Sequence, residues 1–156
     1  MKQNILTQTH NSLIKKQKTV SVAESCTGGM LSEMLTRNSG SSKYFLLGIA
    51  SYSNKAKIKI LRVPESIIFK KGAVSKETCR RMAQSIRILA GSDLGIGITG
   101  IAGPTGETTL KPIGTVFIAI DSKNKKLCEK LNFKGSREKI RKQAALKALT
   151  LLKTII

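Results

Sequence analysis

The chain has 156 residues, of which 40% are hydrophobic and 24% are charged, and these values predict a single globular domain over residues 1–156. No apolar run reaches the roughly 18 residues that a membrane span needs, and the N-terminus turns polar within a few residues. We therefore expect a cytoplasmic protein with no membrane partner. Three cysteines without CxxC spacing and one histidine give no pattern typical of a disulfide framework or a metal site.

The formal net charge of +19 has two interpretations. Basic surfaces bind nucleic acids by neutralising their phosphates. However, the lysines are spread along the whole chain, and four Phe, two Tyr and no Trp leave few rings to stack on bases. We expect nucleic-acid binding to be weak and non-specific at most, and the same positive field favours a small ligand that carries a phosphate.

The hydrophobic periodicity predicts, in chain order, a helix over 3–16, a strand over 19–23, a helix over 28–37, a strand over 44–52, short helices over 54–61 and 64–69, a helix over 75–90, a strand over 94–99, a hairpin of strands over 113–121 and 125–133, and a helix from 136 to the end. The strand over 44–52 is apolar, which is typical of a central strand. Helices and strands alternate before an antiparallel pair appears. This order predicts an α/β fold of three layers, a mixed β-sheet flanked by helices.

Two loops at predicted strand ends carry groups suited to acyl chemistry. Residues 23–29 (AESCTGG) form a strand-to-helix turn whose free N–H groups can hold an oxyanion or a phosphate, although Ser25 or Thr27 could simply cap the helix. After the next strand, Tyr52, Asn54 and Lys57 could face one cleft. Lys57 can act as a base only if burial or nearby cations lower its pKa, and a solvated basic turn is the alternative.

A third loop, residues 97–106, has glycine at every third position. The GxGxxG match over residues 95–100 is not a dinucleotide fingerprint, because its first two glycines lie inside the predicted strand. Glycine within a strand instead indicates close approach by a ligand or a neighbouring element. Since His10 is the only histidine, a Ser–His–Asp triad is unavailable. A Ser–Lys pair is the remaining route to covalent hydrolysis, with Cys26 as a weaker thiol alternative.

Seven segments, in order and spacing, resemble the CinA C-terminal domain family: residues 23–29, 40–42, 52–57, 72–75, 100–104, 111–115 and 135–137. The resemblance implies a three-layer α/β fold, a homo-oligomer, and hydrolysis of the carboxamide of nicotinamide mononucleotide (NMN) to nicotinate mononucleotide and ammonia in pyridine-nucleotide salvage. The reaction is expected to need no metal and no cofactor. The alternatives are a catalytically silent nucleotide-binding member of the family and a basic, DNA-associated protein.

Roles within the family carry over to matching residues of this chain. The resemblance implies Ser25 as the nucleophile, Lys57 as its base and Tyr52 as the residue that supports or orients them. Ser42 is a rival hydroxyl, since its Gly-Ser-Ser loop is also a family motif and could face the same cleft. The expected substrate-binding residues are Thr27, Gly28 and Gly29 for the oxyanion, Thr99, Gly100 and Gly103 for the nucleotide, and Arg137 and Arg141 for the phosphate.

Overall fold

The structure, a computed structural model, describes residues 4–156. Its elements follow in the order α1 (Ile5–Lys16), β1 (Val20–Glu24), α2 (Met30–Thr36), β2 (Phe45–Ala50), α3 (Asn54–Lys59), α4 (Glu65–Lys71), α5 (Lys76–Ala90), β3 (Leu94–Gly100), β4 (Thr115–Asp121), β5 (Lys126–Asn132) and α6 (Arg137–Ile155). A 3₁₀ turn, Ser41–Lys43, precedes β2 and was not predicted. Gln3, the predicted first residue of the first helix, lies outside the described residues, and α1 begins after the cap Asn4.

The five strands form one mixed sheet in the order β2-β1-β3-β4-β5, which confirms the predicted fold class. Strands β2, β1 and β3 are parallel, whereas β4 and β5 are antiparallel to their neighbours. Helices α1, α2 and α6 cover one face over the larger apolar core, and α5 packs on the other face. The carboxyl ends of the three parallel strands therefore meet at one edge of the sheet, where α/β sheets place their ligands. No helix within residues 4–156 is long and apolar enough to cross a bilayer.

The prediction that β2 is a central strand is wrong, because β2 lies at the edge of the sheet. Its residues alternate between half-buried and exposed, and Leu46 remains 45% exposed. Leu47 and Ile49 pack against the smaller core on the α5 side. The strand is apolar on both faces although only one face is well covered, so composition alone pointed to deeper burial than the fold provides.

Two of the three glycines in β3, Gly95 and Gly97, permit close packing of a helix rather than of a ligand. A Cβ atom on Gly95 would lie 2.1 Å from the carbonyl oxygen of Ala83, and one on Gly97 would lie 2.5 Å from that of Cys79. Both carbonyls belong to α5. The neighbouring element is therefore the reason for these glycines, and the dinucleotide motif is excluded here as expected.

Candidate active site

A cleft of about 370 Å³ lies at the carboxyl edge of the parallel strands. It brings together most of the residues that the sequence pointed to from three distant loops. Those lining it are Ser25, Cys26, Tyr52, Asn54, Lys57, Thr99, Gly100, Gly103 and Arg137. The three loops therefore meet at one cleft, as predicted. The contacts of each residue then show what it does there.

Ser25 and Lys57 form a buried pair at the base of this cleft. Ser25 follows β1 directly, and its N–H continues the strand pairing by donating to Ile98 O at 3.0 Å. The cap Ser53 starts α3 and places Lys57 in its first turn, with the lysine pointing inward. Lys57 Nζ lies 2.9 Å from Ser25 Oγ, and the two residues are 1% and 8% exposed.

The surroundings of Lys57 make its neutral form more accessible than that of an exposed lysine. Burial lowers the pKa of Lys57 from 10.5 to about 8, and Lys57 forms no ion pair with any acidic group within residues 4–156. Nζ also donates to the carbonyl oxygens of Ser51 at 2.8 Å and Tyr52 at 3.2 Å. A neutral amine has two N–H groups and one lone pair. The two carbonyls can accept the N–H groups, which leaves the lone pair for the proton of Ser25.

The carboxylate of Glu24 caps α2, a role that the sequence analysis missed. Glu24 is fully buried and accepts hydrogen bonds from the N–H groups of Gly29, Leu31 and Ser32 at 2.9–3.1 Å, and from Ser32 Oγ at 2.7 Å. A negative charge is favoured at a helix N-terminus. The alternative in which Ser25 or Thr27 caps this helix is therefore wrong. A glutamate four residues before a glycine pair was the available signal.

The expected oxyanion donors are only partly available. The N–H of Gly28 donates to Ser25 O at 3.0 Å, and that of Gly29 donates to Glu24 Oε2 at 3.1 Å. Both amides are engaged in shaping the turn, so neither is free in this structure, and their oxyanion role stays a prediction. Their φ angles of +59° and +99° explain why glycine is needed there. The amides of Cys26 and Thr27 have no acceptor among residues 4–156, but Thr27 is fully buried and only Cys26 lines the cleft.

The two arginines that were expected to bind the substrate phosphate have different hydrogen-bond partners. Arg137 crosses the mouth of the cleft, where it donates to Gly103 O at 2.6 Å and to Tyr52 Oη at 2.8 Å. Arg141 lies one turn further along α6 and donates to the carbonyl oxygens of Cys26 at 3.1 Å and Thr27 at 2.8 Å. Its side chain does not line the cleft. In this structure Arg141 holds the loop that follows Ser25, and the phosphate roles of Arg137 and Arg141 both stay predictions.

Ser42 does not compete with Ser25 within one chain. It lies exposed on the 3₁₀ turn before β2, near the start of the parallel strands, where Val20 pairs with Phe45. Ser25 lies past their other end, beyond the pairing of Glu24 with Ala50. Five strand residues span about 16 Å, so the expectation that Ser42 faces the same cleft is wrong.

The remaining residues of the cleft support its walls. Burial raises the pKa of the Cys26 thiol to about 11, so it stays protonated at neutral pH and is a poor nucleophile. Thr99 Oγ1 donates to Ala73 O at 2.8 Å and ties the loop before α5 to β3. A Cβ atom on Gly100 would lie 2.7 Å from Val116 Cγ2, which shows that this glycine lets β4 approach the cleft.

Comparison with known proteins agrees with this architecture. The sequence profile described as the CinA C-terminal domain matches residues 2–156. The chain belongs to this family. A CinA-like protein of Syntrophus aciditrophicus is 47% identical over 142 residues, which are 90% of this chain and 34% of that protein. The chain spans about a third of the length of the curated relatives it matches.

Solved structures of the family have the same fold. The competence/damage inducible protein CihA of Agrobacterium tumefaciens superposes with a TM-score of 0.92 at 31% identity, covering 99% of both chains. A competence-damaged protein (CinA) superfamily protein of Escherichia coli gives a TM-score of 0.93 at 31% identity, covering 97% of this chain and 88% of its own. The CinA fold is therefore common to chains of about this length.

Proposed function

We propose that this chain is an amidohydrolase that converts NMN to nicotinate mononucleotide and ammonia. The observation that supports the proposal is the buried Ser25–Lys57 pair, 2.9 Å apart, in a cleft and without a carboxylate bound to the lysine. A serine is a weak nucleophile until a base removes its proton. A lysine whose pKa is about 8 supplies that base in a useful fraction of molecules at neutral pH.

In the proposed acylation, Lys57 Nζ accepts the proton of Ser25 while Oγ forms a bond to the carboxamide carbon. The electron pair of the C=O bond moves to its oxygen, and a backbone N–H of the loop that follows Ser25 stabilises that oxyanion. The tetrahedral intermediate then collapses. Lys57 returns the proton to the amide nitrogen, which leaves as ammonia, and an ester links Ser25 to the nicotinoyl group.

Deacylation repeats these steps with water. Lys57 takes a proton from the water, whose oxygen attacks the ester carbonyl carbon, and the proton passes to Ser25 Oγ as the ester bond breaks. The products are free Ser25 and the carboxylate of nicotinate mononucleotide. Because the same base serves both halves, replacing Lys57 should stop both.

The phosphate of the substrate is proposed to bind Arg137 at the mouth of the cleft. The guanidinium is exposed and can form two parallel hydrogen bonds to phosphate oxygens. Tyr52 Oη accepts a hydrogen bond from Arg137, so Tyr52 orients this arginine rather than reaching Ser25 in the arrangement observed. The net charge of +19 favours approach of an anionic nucleotide.

Ammonia release from NMN by the purified chain, with EDTA present, tests the proposal. We expect turnover in EDTA, and loss of turnover in both Ser25→Ala and Lys57→Met. The control is Ser42→Ala, which lies outside the cleft and should retain turnover. Binding of NMN by the wild type without ammonia release would instead identify a silent nucleotide-binding protein.

A further inference from the structure

Two of the free cysteines meet between α5 and the edge strand β5, outside the cleft. Gly97 of β3 lies opposite Ala119 of β4, and Ala119 lies opposite Cys128 of β5, so the three form one row across the sheet. Helix α5 crosses this row at Cys79, whose carbonyl oxygen would lie 2.5 Å from a Cβ atom on Gly97. Directly opposed residues of neighbouring strands point to the same face of a sheet, so the side chain of Cys128 points toward α5.

The side chain of Cys79 points from α5 to the same row. Its Sγ lies 3.2 Å from the carbonyl oxygens of Gly97 and Phe117, which belong to β3 and β4. The Sγ of Cys128 lies 4.0 Å from the carbonyl oxygen of Lys76, one turn before Cys79 on α5. Both cysteines pack in one apolar cluster, and their thiols are hydrogen-bond partners. The fold therefore brings together two thiols from distant segments of the chain.

The two thiols differ in access and in acidity. Cys79 is fully buried, and burial raises the pKa of its thiol. Cys128 is only partly buried, and the hydrogen bond from Cys79 lowers the pKa of the Cys128 thiol. The cations of Arg80 and Lys76 act in the same direction, while the Glu77 carboxylate opposes them. Because the thiolate is the reactive form, Cys128 is the accessible nucleophile of the pair and Cys79 is its shielded neighbour.

We propose that Cys128 and Cys79 form a peroxide-sensitive modification site, in which Cys128 is oxidised first and Cys79 then closes a disulfide with it. The Cys128 sulfur attacks one oxygen of hydrogen peroxide, the O–O bond breaks, and the second oxygen leaves as water once it is protonated. This step gives a sulfenic acid. The Cys79 thiol loses its proton, its sulfur bonds to Cys128 Sγ, and the sulfenic hydroxyl leaves as a second water. The two thiols lose two electrons, which the peroxide gains.

The disulfide would fasten an edge strand to the helix that covers the sheet. β5 is the last strand of the sheet and pairs with β4. Val74, directly before α5, packs against the cluster that contains both cysteines, and it also lines the cleft. The cross-link therefore lies beside the wall of the cleft. Its formation does not involve Ser25 or Lys57, so the proposal stands or falls independently of the amidohydrolase reaction.

Mass spectrometry of the purified, reduced chain after treatment with hydrogen peroxide tests the proposal. We expect the wild type to lose two hydrogen atoms, with one cross-link that joins the peptides of Cys79 and Cys128 and is reversed by dithiothreitol. Cys79→Ser should stop at the sulfenic acid, which dimedone traps on Cys128. Cys128→Ser should form no cross-link. The matched control is Cys26→Ser, which should form the cross-link at the wild-type rate.

Alkylation of the reduced protein by iodoacetamide at neutral pH gives a second readout. Cys128 should react faster than Cys26 on the order of tenfold or more, because burial raises the pKa of the Cys26 thiol to about 11. Equal rates for the two thiols would overturn the assignment of Cys128 as the reactive cysteine.

Three outcomes of the peroxide experiment would overturn the proposal. They are a sulfenic acid on Cys128 that persists in the wild type, a cross-link through Cys128 to a second chain, and a cross-link that survives in Cys128→Ser. If Cys79→Ser does not fold, peptide mapping of the oxidised wild type carries the test, because it identifies the partner of Cys128 directly.

Discussion

Replacing Lys57 with methionine measures the protonation of the buried amine without relying on any activity. In the unfolded chain the pKa of lysine is 10.5, and in the fold burial lowers the pKa of Lys57 to about 8. The unfolded state therefore binds the proton more tightly. Between these two values the stability of the wild type must rise with pH, whereas the methionine variant has no proton to lose at this site.

The size of the effect follows from the two pKa values. At pH 7 the wild type is about 3 kcal/mol less stable than it would be if Lys57 were neutral in both the folded and the unfolded state. This follows because each pKa unit corresponds to about 1.4 kcal/mol. Part of that difference is recovered by pH 9. The wild type should gain about 1 kcal/mol relative to Lys57→Met between pH 7 and pH 9.

Urea unfolding of both proteins at pH 7, 8 and 9 gives the required difference in free energy of unfolding. The absolute offset between them also contains the hydrogen bonds to the carbonyls of Ser51 and Tyr52, which methionine cannot make. Only the pH dependence of the offset is diagnostic. An offset that stays constant from pH 7 to pH 9 would mean that Lys57 titrates at its ordinary value, and it would refute the assignment of Lys57 as a neutral base.

Three further predictions concern the site and its support. The kcat for NMN should rise about tenfold from pH 7 to pH 9, because the neutral fraction of Lys57 rises from about a tenth to about nine-tenths. A kcat that does not change with pH over this range would contradict the role of Lys57 as the base. Cys26→Ala should retain turnover within a few-fold in the ammonia assay, because the raised pKa keeps this thiol protonated; loss of activity with the fold intact would make Cys26 the nucleophile. Gly97→Ala should lower the free energy of unfolding by about 1–3 kcal/mol, since its Cβ would fall 2.5 Å from Cys79 O, and thermal unfolding that matches the wild type would mean that α5 moves away without cost.

Local patterns carried most of the fold prediction. Serines at positions 75 and 136 cap α5 and α6 as expected, and their side chains accept from the N–H three residues later. Alternation of helix and strand, followed by a hairpin, was sufficient to predict a mixed sheet of three layers. The position of β2 at the edge could not be predicted in this way. Strand order depends on contacts between distant segments, and both faces of β2 have the composition of a buried strand.

Motif spacing located the site, but it could not assign each residue a role. Ser25, Tyr52 and Lys57 meet in the cleft because each follows a parallel strand whose carboxyl end lies at the same edge. Arg137 and Arg141 are four residues apart and were both expected at the phosphate, yet a single turn of α6 sends their guanidinium groups to different partners. The contacts of Arg141 span more than a hundred residues of chain, and no pattern within one segment contains that information.

The alternation of side chains along β1 explains how the Glu24 carboxylate stays apart from Lys57, the partner of the next residue, Ser25. Glu24 shares a face of β1 with Val20 and Val22, the face covered by α2, and its charge is satisfied by the N-terminus of that helix. Ser25 continues past the strand into the cleft, where Lys57 meets a hydroxyl and two carbonyls. Had Glu24 paired with Lys57, the lysine would be held as a cation and could not take a proton from serine. The capping of α2 by Glu24 is thus a condition for the low pKa of Lys57 as well as for the shape of the loop.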